Sequence, residues 1–205
     1  MGRTSDAKER LMTAILDLIA EGSYGTLRVD DICKAADVKK GSFYYFFPSK
    51  EALVIAALEH LWETESKPML DHFFSPSLPP LERLRKYFEH IVRKAEEDAT
   101  EAGCARGCHI LSLASEVVTQ NKDVSATASS IFARKRRYME SCIRDAIAEG
   151  DIPAGDAAAR VAGLWALTEG VFVESRVLND IEPIRHLPVL ALTFLKAKVA
   201  DPVSS

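Results

Sequence analysis

The chain is predicted to be all-α, with a small N-terminal domain of three helices followed by a larger helical domain. Three observations carry that prediction. Apolar residues recur at intervals of three and four along almost all of the 205 residues, and no segment shows a convincing two-residue alternation. Gly and Pro fall between the periodic segments, most densely in FSPSLPP at 74–80. The run RVDDICKAADVKKGSFYYFFPSK at 28–50 fits a short amphipathic helix, a tight turn and a second, aromatic-rich helix into 23 residues.

The first helix, over about residues 5–20, places Leu11, Ile15, Leu18 and Ile19 on one face, and Gly22 closes it. Next, Val29, Ile32, Cys33 and Ala36 stand at i, i+3, i+4 and i+7, one apolar stripe over about two turns. Asp37 breaks the stripe. Asp tolerates a left-handed backbone, so Asp37 and Val38 turn the chain before another helix from about Lys39. Pro48 pushes the residue before it toward extended backbone and ends that helix near Phe47, while Ser49 caps the next. Over 49–65, Leu53, Ala57 and Leu61 repeat at i, i+4 and i+8, and Pro68 marks the expected end.

Beyond the 74–80 loop, a helix over about 81–100 presents Leu84, Phe88, Ile91 and Val92 before the glycines of 103–107 interrupt it. A short, largely buried helix over 108–119 carries Ile110, Leu111, Leu113, Ala114 and Val117. A long one over 123–149 turns Ile131, Tyr138, Cys142 and Ile143 inward, and Gly150, Pro153 and Gly155 end it. The helix over 156–177 is apolar on several sides through Val161, Leu164, Trp165, Leu167, Val171 and Phe172. The last, over 184–199, holds Leu187, Val189, Leu190, Leu192, Phe194 and Leu195. Apolar faces this wide need burial on more than one side. A homodimer formed through a four-helix bundle, two helices from each subunit, supplies it; the alternative is that both helices complete a monomer core.

The 28–50 run has the layout of a DNA-reading helix-turn-helix. Lys39 and Lys40 bring charge to the start of the second helix, Gly41 and Ser42 are small, and Tyr44 and Tyr45 offer hydroxyls. Amines and phenols suit phosphate oxygens, and small residues let a helix N-terminus sit deep in a major groove. Phe43 and Phe47, one turn apart, face inward and anchor the helix from behind.

On these residues the N-terminal part, about 6–60, resembles the DNA-binding domain of the tetracycline-repressor-like (TetR) family of bacterial regulators. The matching pieces are the helix ending near Glu21 and Gly22, the segment VDDI at 29–32, and VKKGSFYYFFPSKEAL at 38–53. The resemblance implies that Lys40, Gly41, Ser42, Tyr44 and Tyr45 line the groove of double-stranded operator DNA or its phosphates, and that Lys50 clamps a phosphate. Cys33 stands where alanine is common, Asp37 where the turn usually has glycine, and Arg28 where a small hydroxyl residue is frequent; Arg28 adds a candidate DNA contact. The family also implies a C-terminal ligand-binding and dimerisation domain, a homodimer through the last two helices, and a small-molecule effector held among the central helices. The candidate lining residues are Trp62, Phe73, Tyr87, Phe88, Ile91, Cys108, His109, Trp165, Glu169 and Phe172. The division expected is 1–50 for DNA binding, with the helix at about 49–66 linking onward, and 51–205 for effector and dimer.

Composition sets limits on the alternatives. Residues 1–50 hold eight Lys/Arg against seven Asp/Glu, a balance of +1, and the formal charge of −4 therefore leaves −5 for the rest. That excludes a general coat for nucleic acid, whose affinity grows with phosphates neutralised, and favours a site-specific binder. The start MGRTSDAKER has no apolar core, and no stretch approaches the ~20 apolar residues of a membrane span, so a cytoplasmic protein with no membrane partner is expected. Four cysteines, Cys33, Cys104, Cys108 and Cys142, are expected as reduced thiols. Cys108 beside Arg106 and His109 is a candidate electrophile or oxidant sensor; a buried inert thiol is the other reading. Cys104, Cys108 and His109 make a poor metal site, and no metal or cofactor is expected. No phosphate loop, HExxH pair or Gly-x-Ser-x-Gly elbow is present, so an enzyme is the weaker alternative, as is a dimeric interaction module without DNA binding.

Overall fold

The computed structural model describes residues 2–198, with side chains from residue 6 onward except that of residue 109. Every regular element among them is helical: α1 (Gly2–Glu21), a 3-10 turn (Tyr24–Thr26), α2 (Val29–Ala35), α3 (Lys40–Phe46), α4 (Lys50–Leu61), a π-helical segment (Trp62–Ser66), α5 (Lys67–Phe73), α6 (Pro80–Ala102), α7 (His109–Val117), α8 (Lys122–Ala148), α9 (Ala157–Leu178), α10 (Glu182–Arg185) and α11 (Leu187–Leu195). No helix of the described residues is long and apolar enough to cross a membrane.

The chain forms two compact units, one of residues 1–68 with 108–132, the other of 69–107 with 133–205. In the first, α1 is the central strut, packing on α2, α3, α4 and α7. Its stripe buries Leu11, Ile15 and Ile19 against Ile32, Phe43, Leu53, Val54 and Leu58, each at most 2% exposed. The stripe expected on α2 buries Ile32, Cys33 and Ala36, with Val29 half-buried. Asp37 has φ 50°, the left-handed turn read from the sequence. Arg10 of α1 donates from Nη1 to the carbonyls of Ala36 and Asp37 at 2.9 and 3.2 Å and so fixes that turn from outside. Ser49 caps α4, its hydroxyl accepting from the Ala52 N–H at 3.2 Å.

Pro68 does not end the helix that begins at Lys50. The chain widens into the π-helical segment, where the Lys67 N–H reaches the Trp62 carbonyl five residues back, and continues to Phe73. A proline gives no N–H and its ring crowds the carbonyl four residues back; the wider turn displaces that carbonyl and lets the helix pass.

In the second unit, α9 packs on α10 and α11, and α6 packs on the same pair. Its core includes Leu70, Leu84, Phe88, Met139, Ile143, Leu164, Ile184 and Leu187. Buried Arg83 secures the 74–79 loop, donating from Nε to the Leu78 carbonyl and from Nη1 to Asp145, both at 2.6 Å. Tyr138, expected inward, is half-buried and donates its hydroxyl to Asp71 at 2.6 Å, because the phenol finds a carboxylate at the rim of the core. The final helix is broken at His186, since Pro188 cannot continue the hydrogen-bond ladder, and it stops at Leu195 with Lys196 left-handed at φ 53°. It therefore ends earlier than the expected end near Val199, a residue that itself lies outside the described residues.

Candidate nucleic-acid interface

Two faces of α3 separate cleanly. Phe43 is fully buried and Phe47, the extended residue that caps the helix, is 4% exposed. The two rings lie 6.2 Å apart beneath the helix. Outward stand Lys39, Lys40, Gly41, Ser42, Tyr44 and Tyr45, with the two tyrosines 52% and 76% exposed. Tyr44 is steadied by an edge contact with Phe43 at 5.1 Å, so its phenol projects from a fixed base. Gly41 has ordinary helical backbone, and a Cβ built there meets nothing within 4 Å. The fold itself therefore does not require glycine at 41, although glycine costs a helix interior about 1 kcal/mol against alanine. A bare spot on an exposed helix lets a partner come to the backbone.

Charge on this surface is partly committed. The Lys40 ammonium pairs with Asp30 of α2 at 2.8 Å, and that carboxylate holds the lysine above its ordinary range. Lys39 is exposed at the N-cap of α3. Arg28 is exposed at the start of α2, where its backbone N–H donates to Asp31 at 3.0 Å. Lys50 already has partners within the fold. Its ammonium donates to the carbonyls of Tyr24 and Leu27 at 2.8 and 2.9 Å and sits 4.0 Å from the Tyr24 ring centroid. Burial pulls it below its usual value, against the opposing effect of Glu51 and Glu116. A lysine stem at the first position of α4 reaches the carbonyls of Tyr24 and Leu27, the first of which also accepts from the Leu27 N–H at 3.2 Å.

Sequence reading missed Arg10, Asp30 and Glu116. The Glu116 carboxylate of α7 accepts from the Ser23 hydroxyl at 2.5 Å and from the N–H groups of Tyr24 and Gly25 at 3.0 and 2.6 Å. These partners are 91 to 93 residues away in the chain, and no local spacing signals them.

The candidate effector residues divide between the two units. Trp62 and Cys108 are in the first, Trp62 buried and Cys108 half-buried at the N-cap of α7; His109 is placed by its backbone only. In the second, Tyr87 and Phe88 are buried, and Phe73, Ile91, Trp165, Glu169 and Phe172 are half-buried. Phe73 stacks on His90 at 4.8 Å, and Arg136 lies 5.6 Å from the Trp165 ring. An open groove of about 440 Å³ runs beside α9 and α10, its lining including Val171, Glu174, Asp180, Glu182, His186 and Leu190, and it contains none of the ten candidates. Among the thiols, Cys33 and Cys142 are buried, and burial pushes Cys142 up to about 12, an unreactive state.

A row of large apolar side chains stays exposed on α9 and α11: Val173, Val177, Leu178, Val189, Leu190 and Phe194, with Val177 at 77%.

The tetR family of bacterial regulatory proteins matches residues 11–57, and the tetracyclin repressor-like C-terminal domain matches residues 80–188. The transcriptional regulator AcuR of Cereibacter sphaeroides is 32% identical over 180 residues, covering 87% of this chain and 80% of AcuR. The HTH-type transcriptional repressor DhaR of Mycobacterium sp. (strain GP1) is 26% identical over 185 residues, covering 90% of this chain and 89% of DhaR. The crystal structure of regulatory protein TetR from Rhodobacter sphaeroides aligns with a TM-score of 0.79 and 31% identity over 93% of this chain and 97% of that one. With a helix-turn-helix whose second helix turns lysines, tyrosines and a bare glycine outward, the chain belongs to the TetR family of DNA-binding transcriptional regulators.

Proposed function

We propose that the chain is a repressor that binds operator DNA as a homodimer and lets go when a small molecule occupies its C-terminal domain. The observation that carries the DNA contact is the outward face of α3, where Gly41 leaves the backbone open beside two projecting phenols. Residues 1–50 read DNA through Lys39, Lys40, Gly41, Ser42, Tyr44, Tyr45 and Arg28, and residues 51–205 serve effector and dimer. Lys50 clamps a phosphate from the start of α4, where it also donates to the carbonyls of Tyr24 and Leu27. The exposed row on α9 and α11 is the surface a second copy covers, since apolar patches of this kind mark association sites. Repression follows the likeness to a relative named as a repressor. The role is non-enzymatic.

The effector is read as entering among Trp62, Phe73, Tyr87, Phe88, Ile91, Cys108, His109, Trp165, Glu169 and Phe172, which mix apolar walls with a few polar groups. Half-buried Cys108 makes an electrophile or oxidant one class of signal. Operator release by an electrophile, unchanged in Cys108→Ser, would exclude that thiol as the sensor. The DNA reading is tested by a mobility shift on DNA flanking the protein's own coding region. Wild type binds and Tyr44→Ala binds far more weakly; equal binding by the two overturns the assignment of α3.

A further inference from the structure

We propose that Glu116 is a positioning residue for DNA binding, a carboxylate latch by which α7 holds the turn that launches α2. The inference rests on the reading of α2 and α3 as the DNA-binding pair. The 3-10 turn Tyr24–Thr26 ends two residues before α2, so its orientation sets where α2 begins. Glu116 satisfies that turn's amides directly, taking the Tyr24 N–H on Oε2 and the Gly25 N–H together with the Ser23 hydroxyl on Oε1. The turn's carbonyl side is held in turn by Lys50, through Tyr24 and Leu27, and its ring, Tyr24, is buried. Backbone donors are thus gripped from α7 and backbone acceptors from α4.

Gly25 is fitted to this arrangement. A Cβ at 25 would stand 2.9 Å from Glu116 Oε1, closer than such atoms approach, so a larger residue there would make the carboxylate shift from its present place. Charge-assisted hydrogen bonds of this length fail once donor and acceptor separate beyond about 3.5 Å. A displacement of α7 by about 1 Å along the direction of these bonds is therefore enough to release Gly25 and Ser23. The turn then loses its donors' partners and α2 loses its fixed start. DNA affinity consequently depends on the placement of a helix to which no DNA contact is assigned, and any event that moves α7 reaches the turn before α2 through this side chain.

The test uses the full-length protein with a fluorescent operator duplex, and hydrogen exchange at the Tyr24 and Gly25 amides. Glu116→Ala should lower operator affinity at least tenfold at a temperature where the variant is folded by circular dichroism, and should speed exchange at both amides. Glu116→Gln, which keeps acceptor capacity but no charge, should recover part of the affinity. Gly25→Ala displaces the same carboxylate from the other side, so the double variant should bind no more weakly than the worse single one. Wild-type operator affinity in Glu116→Ala with faster exchange overturns the latch and leaves a merely structural carboxylate; additive losses in the double variant overturn it as well. Failure of the wild-type protein to bind any operator, with Tyr44→Ala no different, instead brings down the DNA reading on which the latch depends.

Discussion

Two surfaces of this protein await partners, and they are built on opposite chemistry. The face of α3 is polar and open: lysines, a serine, two phenols and a glycine with empty space above it. The face of α9 and α11 is a row of valines, leucines and a phenylalanine left in water. The first gains by matching phosphates and base edges and is weakened by salt; the second gains by removing apolar area from water and is nearly indifferent to it. A polar face with a balance of only +1 in its 50 residues is a poor grip alone. In the proposed dimer the apolar face would supply what it lacks, a second copy of itself at a fixed spacing, about one DNA turn away.

Breaking the apolar face should therefore have the largest effect. Val177→Glu places a charge on the proposed dimer contact, and an unpaired buried charge costs several kcal/mol. Sedimentation at micromolar concentration should show a monomer, and operator affinity should fall by more than about 100-fold, each 1.4 kcal/mol counting tenfold. A Val177→Glu dimer with unchanged affinity would move the interface elsewhere. Tyr44→Ala is the counterpart on the polar face. It should cost about 10- to 100-fold in operator binding, leave the dimer intact, and shift stability by no more than about 0.5 kcal/mol because the phenol is half in solvent.

Gly41→Ala sharpens the comparison because stability and binding should move in opposite directions. The new methyl meets no atom of the protein. Helix propensity alone then favours the variant, by less than the ~1 kcal/mol of a helix interior because residue 41 lies in the first turn, seen as a slightly higher Tm. The same methyl stands between α3 and the groove, and operator affinity should drop about tenfold. A variant that is both more stable and an equally good binder would show that the bare spot is not an approach site.

How much of this was legible in the sequence follows the range of the interactions. The turn at Asp37, the inward Phe43 and Phe47 and the outward tyrosines are set by neighbours within a few residues, and periodicity finds them. Pro68 misled because its local rule is strict, while the structure evades it with a π-helical turn that no residue pattern announces. Lys50 shows a different limit: its bonds to the carbonyls of Tyr24 and Leu27, 26 and 23 residues away, carry no local signal. Arg10 and Glu116 belong to the same class. Each is an ordinary charged residue on a helix, and its role exists only once a distant turn is folded against it.

The smallest predicted effects separate the two lysines at the start of α3. Lys39 stands exposed at the N-cap, so a phosphate contact from it costs no existing ion pair of Lys40's kind. Lys40 must first leave Asp30, at 2.8 Å. Lys39→Ala should flatten the slope of log affinity against log salt by about 1 for each subunit and weaken binding evenly across sequences. Asp30→Asn should do the reverse, freeing Lys40 and removing a negative charge that faces the same phosphates; operator affinity at low salt should rise several-fold, with the gain shrinking as salt screens it. If Asp30→Asn instead weakens binding, the Asp30 to Lys40 pair is what orients the lysine for its contact, and the ion pair belongs to the DNA-reading surface itself.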